Sequence, residues 1–177
     1  MNYKFEKNFP EGGFVRVAGS AGFCFGVRRA TECVSRAIKE KKPGDKLFTL
    51  GKLIHNDTYL ARLAAEGVEV ISETDIPAAA VASDACGGET TVFIRAHGIT
   101  RETEEMLAGA AREHPHFHYV DCTCPYVRKI HRIAAENSGE GREFILIGSA
   151  DHPEVRGIMS YFTGEKHACA TADELLS

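Results

Sequence analysis

Five segments of this sequence put a residue capable of metal ligation or proton transfer where a predicted strand gives way to a new helix. They are Ala-Gly-Phe-Cys-Phe-Gly at 21–26, Leu-Ile-His-Asn at 53–56, Arg-Ala-His-Gly at 95–98, Asp-Cys-Thr-Cys-Pro at 121–125 and Asp-His-Pro-Glu at 151–154. The residues in question are Cys24, His55, His97, Cys124 and His152. A helix N-terminus presents unpaired N–H groups and the positive end of the helix dipole, which stabilise a thiolate and bind phosphate-like anions. Cys24 and Cys124 are thus candidate thiolates, and the three histidines are candidate donors to phosphate oxygens. No Gly-x-x-x-x-Gly-Lys loop or Gly-x-Gly-x-x-Gly fingerprint occurs, so a nucleotide is not the indicated ligand.

The other cysteines and histidines carry less. Cys33 falls within a helical apolar stripe, and with Cys86 and Cys169 it reads as a core or surface thiol. His114, His116, His118 and His131 are expected to be solvated, and the run His-Pro-His-Phe-His at 114–118 is a weak metal tract. There is no Cys-x-x-Cys pair, hence no zinc-ribbon, zinc-finger or ferredoxin-type spacing. A cluster whose cysteines come singly from separate junctions remains compatible. On the residues alone, two alternatives stay open: a zinc hydrolase using Cys24, Cys124 and a histidine with Glu154 as general base, or a non-catalytic diphosphate-binding module.

The elements that must position these residues alternate. Strands are predicted at Phe14–Ala18, Leu47–Leu50, Val68–Ile71, Thr91–Arg95, His118–Val120, Phe144–Ile147 and near His167–Ala170. Helices are predicted at about Gly26–Lys39, Asp57–Ala65, Arg101–Glu113, Pro125–Glu136 and Pro153–Tyr161, with Ser72–Thr90 read as a loop holding at most one helical turn. Such alternation argues for right-handed βαβ units and a parallel sheet, an α/β fold. In such a sheet every strand-to-helix junction lies at the carboxyl edge, so the five residues are expected to share one crevice.

Composition agrees with an ordinary globular protein: 177 residues, 44% apolar and 26% charged. The formal net charge of −4 disfavours nucleic acid as a partner. No run approaches the roughly 20 apolar residues of a membrane span, and Met1 to Gly13 lacks the layout of a signal peptide, so the expected location is cytoplasmic, without membrane partners. In a reducing cytosol cysteines serve metals or catalysis more than disulfides. The strands after Cys124 are few, and Ala172–Ser177 reads as the start of a helix. The expected division is therefore a first α/β domain at 14–123 and a partial second one at 124–177, the whole being part of a longer protein.

Together these segments resemble the IspH/LytB family of hydroxymethylbutenyl diphosphate reductases. The resemblance runs from Gly19 to about Phe162. It rests on Gly-Phe-Cys-Phe-Gly-Val-Arg-Arg-Ala at 22–30, Leu-Ile-His-Asn at 53–56, Arg-Ala-His-Gly at 95–98, Thr-Cys-Pro at 123–125 and His-Pro-Glu-Val at 152–155. It implies a three-domain α/β reductase that removes an allylic hydroxyl through a 4Fe-4S cluster held by three cysteines, yielding isopentenyl and dimethylallyl diphosphate. By motif match Cys24 and Cys124 correspond to the first two cluster ligands, His55, His97 and His152 to the diphosphate-gripping residues, and Glu154 to the proton-relay carboxylate. The implied partners are an allylic diphosphate and a reduced ferredoxin or flavodoxin-type electron donor. The third ligand, the third domain, and the family's Thr-Thr and Ser-x-Asn stretches have no counterpart here. Asp151 stands where that family commonly has glycine, and Cys122 where it more often has alanine; Cys122 is read as a spectator.

Overall fold

The computed structural model describes residues 3–176. Its first surprise is at the start. The apolar run Phe14–Ala18 (β2) does not enter the parallel sheet: it pairs antiparallel with Tyr3–Asn8 (β1) as a separate hairpin. Gly12 and Gly13, at φ +92° and +93°, make the turn that lets the two strands fold back on each other. Phe14 and Val15 are exposed, so this strand's apolar residues do not serve a core.

Four strands form the main sheet: Lys46–Leu50 (β3), Val68–Ile71 (β4), Thr90–Ile94 (β5) and Phe117–Asp121 (β6). All pairings are parallel and the order is β4-β3-β5-β6. Phe25–Glu40 (α1) and Asp57–Ala65 (α2) cover one face, where Ala30, Val34 and Leu63 pack on Leu47, Val68 and Phe93. The other face is covered by Ile76–Ser83 (α3) and Arg101–Glu113 (α4), whose Ile76, Ala80 and Leu107 meet Leu50, Val92, Ile94 and Phe117. Val92, Phe93 and Ile94 are buried in succession because the central strand β5 has helices on both sides.

The stretch expected as a loop at 72–90 contains a single 3-10 turn, Glu73–Asp75, and then α3. The α3 sequence, Ile-Pro-Ala-Ala-Ala-Val-Ala-Ser, is small and apolar all round, so it carries no helical period to read. Pro77 is tolerated because it sits in the first turn, where no intrahelical N–H bond is lost.

Beyond Cys124 come Pro125–Glu136 (α5), Glu143–Ile147 (β7), Pro153–Ser160 (α6), Glu165–Cys169 (β8) and Ala172–Leu176 (α7). Strands β7 and β8 form their own parallel pair. Ala134, Ile158 and Phe162 make a third small core against Phe144 and Leu146. Helices α5 and α6 pack on each other, and α6 also meets α4, which ties this pair of strands to the larger sheet. The predicted helix start at 172–177 is matched by α7 as far as Leu176, and Ser177 lies outside the described residues. Among the described residues no helix is long and apolar enough to cross a membrane.

Candidate functional site

The main sheet has a reversal in its winding. From β3 the chain moves outward to β4, then crosses back so that β5 lies on the other flank of β3. The crevice at the carboxyl ends of β3 and β5 is therefore a topological switch point, the place where open α/β sheets bind ligands. His55 lies just beyond β3 and His97 just beyond β5, and their rings are 4.6 Å apart between centroids. His152, arriving from the second pair of strands at the start of α6, completes a triad at 6.4 Å from His55 and 6.0 Å from His97.

Main-chain bonds fix these junctions in register beyond the strands. Ala96 N–H donates to Leu53 carbonyl at 3.1 Å, and Cys124 N–H donates to Ala96 carbonyl at 2.9 Å. His97 follows Ala96 directly, in a turn closed by Gly98 N–H to Arg95 carbonyl. Gly98 sits at φ +77°, and a Cβ there would come within 2.7 Å of His131 Cε1, so the turn needs glycine twice over. Asn56 caps α2 by accepting the Tyr59 N–H at 2.9 Å, which settles the chain around the exposed His55.

His152 is the N-cap of α6, where its Nδ1 accepts the Glu154 N–H at 3.2 Å. In the neutral ring that assignment leaves the proton on Nε2, free to donate to an anion. Glu154 stands half-buried in the first turn of the same helix. Asp151 is exposed and makes no ion pair with an arginine among the described residues. Burial is the main cause that holds the His97 pKa below its ordinary value, and the charges of His55, His152 and Arg95 push it further down. An anion entering the triad offsets that repulsion and favours the protonated form of His97.

The two cysteines occupy matching positions. Cys24 is the N-cap of α1 and Cys124 the N-cap of α5, and neither side chain is spent on a cap hydrogen bond. The helix starts touch through Gly26, where an added Cβ would lie 2.4 Å from Cys124 Sγ. Arg29, one turn further along α1, clamps the approach to Cys124: its Nη1 donates to Thr123 carbonyl at 3.1 Å and its Nη2 to Asp121 carbonyl at 3.2 Å. Asp121 also accepts the Thr123 N–H and pairs with Arg128. Gly26 and Arg29 both belong to the motif around Cys24, yet their spacing gives no sign of a role across the molecule. Two free thiols at touching helix starts are soft donors suited to an iron–sulfur or zinc centre. Among the described residues no three His, Cys, Asp or Glu side chains gather as a metal-holding group, so the three-ligand set of a zinc hydrolase is not assembled.

The remaining candidates lie elsewhere. Cys122 is 1% exposed and packs beside Cys33 in the core under α1. Burial, with Cys33 adding to it, pushes its thiol up to about 12, which makes it an inert core residue. His114 bonds Asp84, while His116 and His118 both reach Glu89 at the amino edge of the sheet, away from the crevice. His131 is not solvated as expected: it is 6% exposed, stacked on Tyr161 at 4.3 Å, and lies against Gly98. Its place on α5, in line with buried Val127 and Ala134, is what carries it inward.

A family model described as LytB protein matches residues 15–176. The 4-hydroxy-3-methylbut-2-enyl diphosphate reductase of Geobacter sulfurreducens is 37% identical over 158 residues, covering 89% of this chain and 50% of that protein. The reductase of the same name from a Thermoanaerobacter species is 36% identical, over 81% of this chain and 46% of its own. Among solved structures, that of a reductase described as the terminal enzyme of the non-mevalonate pathway matches with a TM-score of 0.66 at 34% identity, over 88% of this chain and 50% of the other. The E-1-hydroxy-2-methyl-but-2-enyl-4-diphosphate reductase of Plasmodium falciparum matches with a TM-score of 0.73 at 28% identity, over 90% and 45%. The chain thus spans about half the length of the curated relatives it matches.

Proposed function

This chain belongs to the LytB family, and on that footing we propose that it supplies the diphosphate-gripping and proton-donating half of a reductase acting on 4-hydroxy-3-methylbut-2-enyl diphosphate. The observation that carries this reading is the convergence of His55, His97 and His152 on one switch-point crevice, with ring centroids 4.6 to 6.4 Å apart. Three imidazoles at that spacing present several N–H donors to the oxygens of a single diphosphate. His152 Nε2 is the donor already set by its cap bond, and His97 takes up a proton once the anion arrives.

The overall change is reductive: the allylic carbon–oxygen bond breaks, two electrons and two protons are consumed, and the hydroxyl leaves as water. Glu154, in the turn that follows His152, is the group in this chain that holds a proton for the departing oxygen. The division at about residue 124 is part of the same reading, since the crevice receives His55 and His97 from one sheet and His152 from the next. Cys24 and Cys124 would provide two of the thiolates of a 4Fe-4S cluster, whose role is to deliver the electrons from a reduced carrier protein. With two thiolates the chain alone is expected to retain such a cluster weakly.

The test is calorimetric titration of the chain with the allylic diphosphate and, separately, inorganic pyrophosphate, each repeated on His55→Ala. Stoichiometric binding with proton uptake, weakened at least tenfold in the variant, supports the reading. Absence of binding, or binding indifferent to His55, overturns it.

A further inference from the structure

A second cleft of about 350 Å³ adjoins the triad and is lined by none of its histidines. It is bounded by the residues flanking the same junctions: Gly51 after β3, Arg95 after β5, and Pro153 and Arg156 of α6, with Glu73 and Thr74 closing it. Arg95 is half-buried, and its Nε is anchored on Gly98 carbonyl at 2.9 Å. Its guanidinium lies over Gly51, whose φ of +69° and missing side chain make the room; a Cβ there would stand 3.0 Å from Arg95 Nη1. Beyond the Nε bond, the Arg95 side chain makes no hydrogen bond or ion pair among the described residues, and the Arg156 side chain makes none.

That arrangement costs free energy as it stands. A guanidinium drawn out of water without a carboxylate partner loses solvation, and a second cation in the same cleft adds repulsion. Burial and Arg156 both act to lower the Arg95 pKa, while Glu73, outside ion-pair distance, offsets this only in part. Two guanidinium forks against one carboxylate leave the cleft with a net charge of +1. The four donors left free on Arg95 and the five of Arg156 match the terminal oxygens of a tetrahedral anion.

We propose that the Arg95–Arg156 cleft is an anion site for a phosphate group, separate from the histidine triad. It does not depend on the reductase reading, because no triad ring lines it. Free phosphate and the phosphate of a small-molecule ester share the chemistry that would fill it.

The experiment uses the 177-residue chain with inorganic phosphate as the probe, followed by the ¹H–¹⁵N signals of the arginine Nε groups, with chloride at matched ionic strength as control. Saturable shifts of the Arg95 and Arg156 signals are expected with phosphate and not with chloride. Arg156→Glu, an exposed position whose change leaves the fold intact by circular dichroism, should weaken phosphate binding at least tenfold at Arg95. His55→Ala should leave it within twofold. Parallel titration with glycerol phosphate separates the sources: tighter binding of the ester means that more of the cleft than the phosphate pocket is used, and equal binding means that the phosphate group alone is read. No saturable shift in the native chain, an equal effect of chloride, no loss in Arg156→Glu, or a joint loss in His55→Ala would each overturn the proposal. The last would assign the arginines to the triad's own site and leave the diphosphate reading standing.

Discussion

The backbone N–H of Cys124 donates to the carbonyl of Ala96 at 2.9 Å. Since Ala96 precedes His97 and itself donates to Leu53, two residues before His55, the thiol and two of the imidazoles hang on one ladder of main-chain bonds. Their relative placement is set by the sheet and not by the side chains, which makes the crevice preorganised in the sense that no loop must fold to build it. Substitutions that disturb the ladder should therefore be felt at both kinds of group.

Gly26→Ala is the first such case. Its Cβ would approach Cys124 Sγ to 2.4 Å and Cys124 Cβ to 2.8 Å, so the α5 start must yield. The expected cost is about 1–3 kcal/mol, as for overpacking elsewhere. Urea unfolding measures it, and alkylation of Cys124 followed by mass spectrometry should show an altered rate. An unchanged midpoint and rate would mean that the two helix starts are not in contact.

His55→Ala should raise the His97 pKa. After burial, the charge of His55 is the strongest influence keeping His97 low. Removing it leaves the burial and the weaker influences of His152 and Arg95, so the shift back toward the ordinary value is partial. Histidine ring signals followed through a pH titration report it directly. A His97 titration identical in both proteins contradicts the coupling.

How much of this was legible beforehand varies for physical reasons. The junction residues could be found because a parallel sheet sends every strand's carboxyl end to one edge, whatever the tertiary details. That His55 and His97 face each other at the switch point depends on β5 crossing back past β3, which no local pattern encodes. The hairpin of Tyr3–Asn8 with Phe14–Ala18 was missed because an apolar five-residue run looks the same in a core strand and in an exposed hairpin. Helix α3 escaped because Ile76–Ser83 has no polar face to set a period. His131 was readable in principle, since it shares a stripe with Val127 and Ala134, but a histidine counts as polar in that pattern.

Gly98→Ala combines two penalties. The residue holds φ +77°, which costs an L side chain about 1–2 kcal/mol. The new methyl would also meet His131 Cε1 at 2.7 Å and Thr123 Cγ2 at 3.2 Å. A loss of about 2–4 kcal/mol is expected, together with weaker pyrophosphate binding as the His97 turn moves. A variant that unfolds at the native urea concentration would show that the turn is not tight.

His131 makes stability depend on pH in a definite direction. Burial is the largest influence lowering its pKa from 6.5 to about 4; Glu104 opposes and Arg128 assists. Its Nε2 has no hydrogen-bond partner, and Asp121, Glu104, Arg128 and Arg132 line the small cavity it borders. The folded state therefore binds this proton later than the unfolded chain does. The contribution is complete above pH 6.5 and is lost as pH falls toward 4, with about 2–3 kcal/mol gone by pH 4.5. His131→Gln keeps a polar side chain of similar size and does not titrate. Between pH 7.5 and 4.5 the native protein should lose about 2–3 kcal/mol more unfolding free energy than this variant, measured by urea titration at each pH. Carboxylates that titrate in the same window act on both proteins and drop out of the difference. Parallel losses in the two proteins would mean that His131 is protonated in the folded state, and the stacked, uncharged ring against Tyr161 would have to be given up.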